Sequence, residues 1–214
     1  MYLTEICLQD EAAARLLPYN PYNWHQRVWS FFPGRSERDF LYRVDYTARG
    51  LRLLILSEHA PVSPMDFDSS AFRCREIPES FFTHSLYHFQ IRVNATRRVK
   101  VDARTGKRVE KGMRVPITET EELLNWLKRK GEQGGFSLPY LEGEENSPSC
   151  YLNVIPEKQL VFQKKGCALA HHASVQFAGV LRVENPDVFR QTFKCGIGSA
   201  KSFGFGLLML QPLN

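Results

Sequence analysis

No run of apolar residues in this 214-residue chain approaches the roughly 20 that a membrane-spanning helix needs. The amino terminus, Met1-Tyr2-Leu3-Thr4-Glu5, lacks the basic stretch and cleavage site of a secretory signal. Cysteine is sparse: five residues, at 7, 74, 150, 167 and 195, odd in number and without a C-x-x-C pair. That pattern offers neither a disulfide framework nor a thiolate metal site, and it fits reduced thiols in the cytoplasm. Histidine supplies no metal ligands at useful spacing either. His84 and His88 are four apart but lie in a strand-like run, and adjacent His171 and His172 would face opposite sides of a strand. His59 has only a generic loop around it. No metal and no cofactor are expected, and no low-complexity segment interrupts the chain.

What the chain has is a concentration of glycine near its end. Gly196, Gly198, Gly204 and Gly206 form a near-palindromic G-x-G-x5-G-x-G pattern, four of the fourteen glycines present, with Lys194 before it and Lys201 inside it. Glycine tolerates positive φ and lets backbone approach another surface closely, so such a loop suits contact with an anion. A nucleotide-binding P-loop is excluded, because it needs strand, then G-x-x-x-x-G-K-[ST], then helix. Here the order is reversed. Asn185-Pro186 opens a short helix that Gly196 stops, and Leu207-Leu208-Met209-Leu210 after the loop reads as a buried strand.

Charge is as uneven as glycine. The net charge is +5 and the pI about 9.0. Between Arg92 and Arg114, nine basic residues face only Asp102 and Glu110. That segment carries +7, and subtracting it from +5 leaves −2 for the rest. A concentrated basic stretch on a slightly acidic body is the footprint of a polyanionic partner. Arg97, Arg98, Lys100, Arg104, Lys107 and Arg108 are its candidate contacts, flanking the strand-like run Tyr87 to Val93.

In order along the chain, Met1 to Leu8 alternates as a strand, and Asn20-Pro21 caps a helix that Pro33-Gly34 ends. At 100° per residue, Trp24, Val28, Phe31 and Phe32 share the core-facing arc, while Tyr22, His25 and Trp29 line the flank. Phe40–Asp45 and Leu51–Leu56 read as a hairpin, a short or irregular helix follows before Phe72, and Phe72–Ile77 as a further strand. The second half repeats the order. Tyr87 to Val101 is expected as one strand leading into the basic stretch. Thr118 with Glu121 is expected as a capping box for a helix ending near Gly131. Strands at Leu160–Phe162 and Val175–Leu181 precede the short helix, the glycine loop and the last strand. The order β-α-β-β-α-β, given twice, predicts an α+β protein of two tandem ferredoxin-like (RRM-like) domains with antiparallel sheets, residues 1–80 and 81–214.

The chemistry points to His25. Imidazole titrates near neutrality and can take or give a proton. RNA brings its own nucleophile in the 2′-hydroxyl. A histidine, a hydrogen-bonding tyrosine such as Tyr22 and a cation therefore suffice to cut it without a metal. The tyrosine, with an ordinary pKa near 10, suits positioning or donation better than base work.

These residues resemble a known family. Met1-Tyr2-Leu3, the segment Tyr22-Asn23-Trp24-His25-Gln26-Arg27-Val28-Trp29-Ser30-Phe31-Phe32-Pro33, Arg38 to Val44 and the ending Gly196 to Leu208 are similar to the CasE endoribonucleases of type I-E CRISPR systems, within the repeat-associated RNA-binding superfamily. The resemblance implies a metal-independent enzyme that binds the repeat hairpin of CRISPR precursor RNA. It would cut at the 3′ base of the hairpin, leave a 2′,3′-cyclic phosphate and a 5′-hydroxyl, and stay with the product and other subunits in the Cascade complex. The family's catalytic histidine falls on His25, the accompanying tyrosine on Tyr22, and the basic hairpin of the second domain on Lys164 and Lys165. The glycine loop (Gly196, Gly198, Gly204, Gly206) is expected on RNA backbone. Arg27, Arg38 and Lys201 are candidates for a further basic residue in the site. Two other readings stay open from the residues alone: a non-catalytic RNA-hairpin-binding subunit, and a structural subunit docking partners through acidic surfaces such as Glu142, Glu144 and Glu145. A DNA substrate fits poorly, since this chemistry uses the 2′-hydroxyl.

Overall fold

The computed structural model describes residues 1–9, 15, 20–63, 69–101, 105–143, 151–163 and 169–213. Its first sheet is built from β1 (Tyr2–Gln9), β2 (Phe40–Thr47), β3 (Gly50–Ser57) and β4 (Phe72–Glu76), all antiparallel and in the order β2-β3-β1-β4. Between β1 and β2 lies helix α1 (Pro21–Trp29). The Asn20 side chain accepts the Asn23 N–H at 2.9 Å and Pro21 takes the first helical position, as the sequence leads one to expect. Trp24, Val28, Phe31 and Phe32 are all buried against Ile6, Phe40, Tyr42, Leu53 and Ile55. The β2–β3 turn ends at Gly50, whose φ is 142° and whose absent Cβ would sit 2.0 Å from the Leu8 carbonyl oxygen.

Alternation fails in β2 and β3, where Phe40 to Arg43 and Leu53 to Ser57 are buried without a break. Both faces of this sheet are covered, which makes continuous apolar runs favourable. One face packs on α1, while Leu41 and Leu56 from the other face join the core of the second half.

That second half has the sheet order β11-β5-β10-β8, from β5 (Leu86–Val93), β8 (Phe136–Ser137), β10 (Leu169–Val183) and β11 (Leu208–Pro212). Helices α2 (Thr120–Gln133) and α3 (Pro186–Cys195) complete the unit. Both sheets thus place the fourth strand beside the first and the third between first and second. This is the ferredoxin-like arrangement, twice over. An added strand, β9 (Leu152–Gln163), pairs with β10 along the same edge as β8 and carries a bulge opposite His172 to Ser174. Lys164 and Lys165, expected as a basic hairpin tip, lie outside the described residues, as do Arg104, Glu144 and Glu145.

Three expectations are corrected. Tyr87 to Val101 is not one strand: it breaks at Asn94 and Ala95, where Asn94 bridges to Ser199 and the Ala95 carbonyl accepts from Ile117. The basic stretch that follows is a two-stranded hairpin, β6 (Thr96–Val101) with β7 (Arg108–Pro116). The Thr118/Glu121 capping box does not form; the helix begins one residue later, with Glu119 at the N-cap and no side-chain bond there. It also runs past Gly131. That glycine serves close packing, since a Cβ would lie 2.7 Å from the Phe136 carbonyl oxygen, and the helix stops at Gly134.

Candidate active site and RNA-facing surface

Helix α1 carries His25 and Tyr22 on a half-buried flank set by the buried arc of Trp24 and Val28. Trp29, one turn on, donates its indole N–H to His25 Nε2 at 3.2 Å. In the neutral ring this leaves the proton on Nδ1. The Tyr22 hydroxyl accepts from the Gln26 amide at 3.4 Å, again one turn away. Arg27 is half-buried in the last turn of the same helix.

The glycine loop meets this helix. It folds as a 3-10 turn, Lys201–Phe203, entered through Ala200 at φ 59° and left through Gly204 at φ 85°. Phe203 packs on the His25 ring with centroids 6.4 Å apart. Arg38, from the approach to β2, donates to the Ser202 hydroxyl at 2.8 Å, and the buried Tyr42 hydroxyl donates to the Ser202 carbonyl at 2.9 Å. Burial pushes the Tyr42 phenol far above its ordinary pKa, with Arg38 partly opposing, so it remains a donor. Two motifs nearly 180 residues apart in sequence are therefore joined through β2.

Two of the four glycines turn inward. A Cβ on Gly196 would lie 2.7 Å from the Gly206 carbonyl oxygen and from Leu41, and one on Gly206 would lie 2.6 Å from the Ile197 carbonyl oxygen. Their N–H groups are committed to Thr192 and Arg92 carbonyls. Gly198 and Gly204 have only ordinary contacts, with Trp126 and Tyr42. Gly204 and Gly206 are buried, whereas Gly196 and Gly198 are half-exposed and line one cleft with Lys201, so of the two uncrowded glycines only Gly198 presents open backbone.

Lys201 is half-buried, with its ammonium donating to the Cys195 carbonyl at 2.7 Å. Burial lowers its pKa; the Cys195 side chain opposes this, while Arg38 and Lys130 add to it. A cation is thus held beside other cations at some cost, an arrangement that suits an anionic ligand. Lys201 also lines a cleft of about 450 Å³ together with Arg97, Arg98, Arg114, Lys130, Gly198 and Ser199. The basic hairpin and the glycine loop therefore share one cationic surface. Lys100, Lys107 and Arg108 are carried by the same hairpin, Lys100 and Lys107 exposed. Arg97 is also paired with Glu122 at 3.4 Å.

Arg92 does not belong to that surface. It donates to Glu157 (2.7 Å), Asp45 (2.9 Å) and the Val44 carbonyl (2.9 Å). Arg43, 4% exposed, bonds Asp45 and Gln176 beside it, and Ser174 donates to Glu157. This network ties the two sheets together. Sequence reasoning missed it because every link but one joins different strands. It also missed His172 on β10, whose ring lies 5.3 Å from Phe203, and Asn94, whose amide nitrogen is 3.0 Å from His172 Nδ1. The one signal was a polar Asn94 interrupting an apolar strand. Three other histidines pack elsewhere: His59 on Asp39, His84 on Tyr87 and His88 on Tyr151.

Known proteins share this architecture over its whole length. The chain is 28% identical over 222 residues to the CRISPR system Cascade subunit CasE of Escherichia coli (strain K12), covering 100% of both chains. It is 28% identical over 226 residues to the CRISPR-associated endoribonuclease Cse3 of Thermus thermophilus, covering 99% of this chain and 100% of that one. In three dimensions it matches Cse3 bound to a 19-nucleotide RNA with a TM-score of 0.76 at 27% identity, covering 99% of this chain and 100% of that one. It matches Cas6e from Escherichia coli K-12 with a TM-score of 0.71 at 26% identity, covering 100% of both. The helix that carries His25 and the loop that closes on it lie near opposite ends of residues 1–212, the span matched by the profile of the CRISPR-associated protein family, and the chain belongs to that family.

Proposed function

We infer that the chain is a metal-independent endoribonuclease that binds the repeat hairpin of CRISPR precursor RNA, cleaves at its 3′ base and stays with the mature crRNA in Cascade. Residues 1–80 supply the catalytic helix and residues 81–214 the RNA-gripping surface. The 2′-hydroxyl next to the scissile phosphate attacks phosphorus, the 5′-oxygen leaves, and a 2′,3′-cyclic phosphate and a 5′-hydroxyl result. His25 exchanges a proton with the reacting oxygens, and Tyr22 positions or donates from the same helix flank. Arg38 and Lys201 offset the charge that develops on the phosphorane. Arg27, Arg97, Arg98, Lys100, Arg104, Lys107 and Arg108, with Lys164 and Lys165 toward the stem, hold the RNA backbone, and Gly198 allows it to approach. The cytoplasm is the compartment that reduced, scattered cysteines suit.

The observation that carries this reading is the meeting of His25 with Phe203, which sets the helix-borne imidazole against a loop already bearing Lys201 and anchored by Arg38. Relatives named as an endoribonuclease and as a Cascade subunit support it. The test is a repeat hairpin from the source genome incubated in EDTA with the wild-type protein or His25→Ala, beside a strand carrying a 2′-deoxy nucleotide at the cut site. Cleavage is expected only with wild type and the all-ribose strand. Binding without cleavage by both proteins would make the chain a non-catalytic hairpin-binding subunit.

A further inference from the structure

Phe203 stands between two histidines. Its ring centre is 6.4 Å from that of His25 on α1 and 5.3 Å from that of His172 on β10. Phe205 backs His172 at 6.2 Å. The far side of His172 is held by Asn94, whose amide nitrogen lies 3.0 Å from Nδ1. Donation to Nδ1 fixes the neutral ring with its proton on Nε2 and sets the ring plane.

Asn94 is itself fixed. It is 6% exposed at the break between β5 and β6, and it forms the bridge to Ser199. The Ser199 hydroxyl donates to the Asn94 carbonyl at 3.1 Å, and the Asn94 amide reaches that hydroxyl at 3.4 Å. A buried asparagine in an apolar strand is costly unless it is bonded. Here its bonds run to His172 and to the glycine loop that carries Phe203. A continuous series of contacts therefore leads from Asn94 through His172 and Phe203 to His25, which Trp29 holds from another side by its indole N–H.

We propose that Asn94 and His172 are positioning residues for His25: the imidazole held by Asn94 keeps Phe203 against the His25 ring and so fixes the direction from which that ring meets the RNA. This rests on the endoribonuclease reading for its consequence and on the ring contacts for its geometry. His172 transfers no proton in the reaction. It acts through Phe203, as a buttress whose shape and hydrogen bond with Asn94 matter. A displacement of His25 by a fraction of its own width is enough to slow a reaction that depends on its alignment.

The test uses the full-length protein with His172→Ala, His172→Gln and Asn94→Ala. The first readout, on RNA-free protein, is the Trp29 indole N–H signal in a ¹H–¹⁵N spectrum, since that proton is bonded to His25 Nε2. His172→Ala and Asn94→Ala are expected to move it, and His172→Gln, which can still accept from Asn94, to return it toward the wild-type position. The second readout is single-turnover cleavage at saturating hairpin in EDTA across pH. His172→Ala should slow it about tenfold to a hundredfold, with hairpin affinity kept, partial rescue in His172→Gln, and a pH profile of unchanged shape. An indole signal that His172→Ala leaves in place overturns the proposal. So does the loss of one limb of the pH profile in His172→Gln, which would make His172 a proton-transferring residue. A wild-type protein that binds but does not cut refutes the endoribonuclease reading alone, and the indole signal still decides the geometry.

Discussion

The proposed proton-transfer group is one imidazole on a helix flank, and its neighbours define what each substitution should do. His25→Ala removes the proton-transfer group while leaving the buried arc of α1 intact. Cleavage should fall by about 10²- to 10⁴-fold with hairpin affinity retained, as measured by single-turnover rates beside equilibrium binding. Lys201 gives a prediction of opposite sign for stability and binding. Its folded-state pKa lies below the ordinary lysine value, chiefly through burial. The native state then sheds this proton before the unfolded chain does, so the cost of the buried charge is fully present below the lowered value. That cost fades only as pH rises from the lowered value toward 10.5, which is a gain in stability with rising pH. Lys201→Met should therefore unfold no more easily than wild type at pH 7 and weaken hairpin binding. A thermal melt paired with a binding titration checks both halves, and a large loss of stability would contradict the reading of Lys201 as a cation held for a ligand. His25 was legible in the sequence because α1 declares itself through Asn20, Pro21 and its buried arc. His172 and Asn94 were not, because their meaning comes from contacts spanning 78 and 105 residues that no local pattern encodes.

Elements repeat the lesson at a larger size. Strand β1 follows from alternation, β2 and β3 from continuous apolar runs on either side of a glycine turn, and the helix before the glycine loop from proline at its start and glycine at its stop. The failures have physical causes. Thr118 and Glu121 have capping-box spacing, yet the chain enters the helix at Glu119, whose carbonyl accepts the first helical N–H, from Leu123. Gly131 looks like a stop and is instead a point of close approach for Phe136. The two-residue β8 is too short for any periodic signal. Within the glycine loop the four glycines divide by environment, and this is testable. Gly206→Ala and Gly198→Ala both place a side chain at positive φ, but only the first drives a Cβ to 2.6 Å from a carbonyl oxygen. Each incurs the left-handed strain of about 1–2 kcal/mol, and Gly206→Ala should lose measurably more stability than Gly198→Ala in urea denaturation. Equal losses would mean that the loop relaxes freely and is not pinned on Ile197 and Arg92.

At the scale of the whole molecule, two ferredoxin-like units are locked by charge as well as by Leu41 and Leu56. Arg92 joins Asp45 of the first sheet to Glu157 on β9, and the Gly206 N–H is held by the Arg92 carbonyl. Arg92→Ala should leave Glu157 short of its main partner in a half-buried site and destabilise the protein by about 3 kcal/mol, read by chemical denaturation. The basic hairpin outside that lock should behave as a sequence-blind grip. Arg98→Ala is expected to weaken hairpin binding and to reduce the slope of log affinity against log salt by about 1. The central claim, strand cleavage by the RNA's own 2′-hydroxyl with His25 moving the proton, is tested most directly by the mass of the product's 3′ end. Wild-type protein in EDTA should yield a 2′,3′-cyclic phosphate on the upstream fragment and a 5′-hydroxyl on the downstream one. An upstream fragment ending in a 3′-hydroxyl, with phosphate on the downstream 5′ end, would contradict the account, because water rather than the 2′-hydroxyl would then have been the nucleophile.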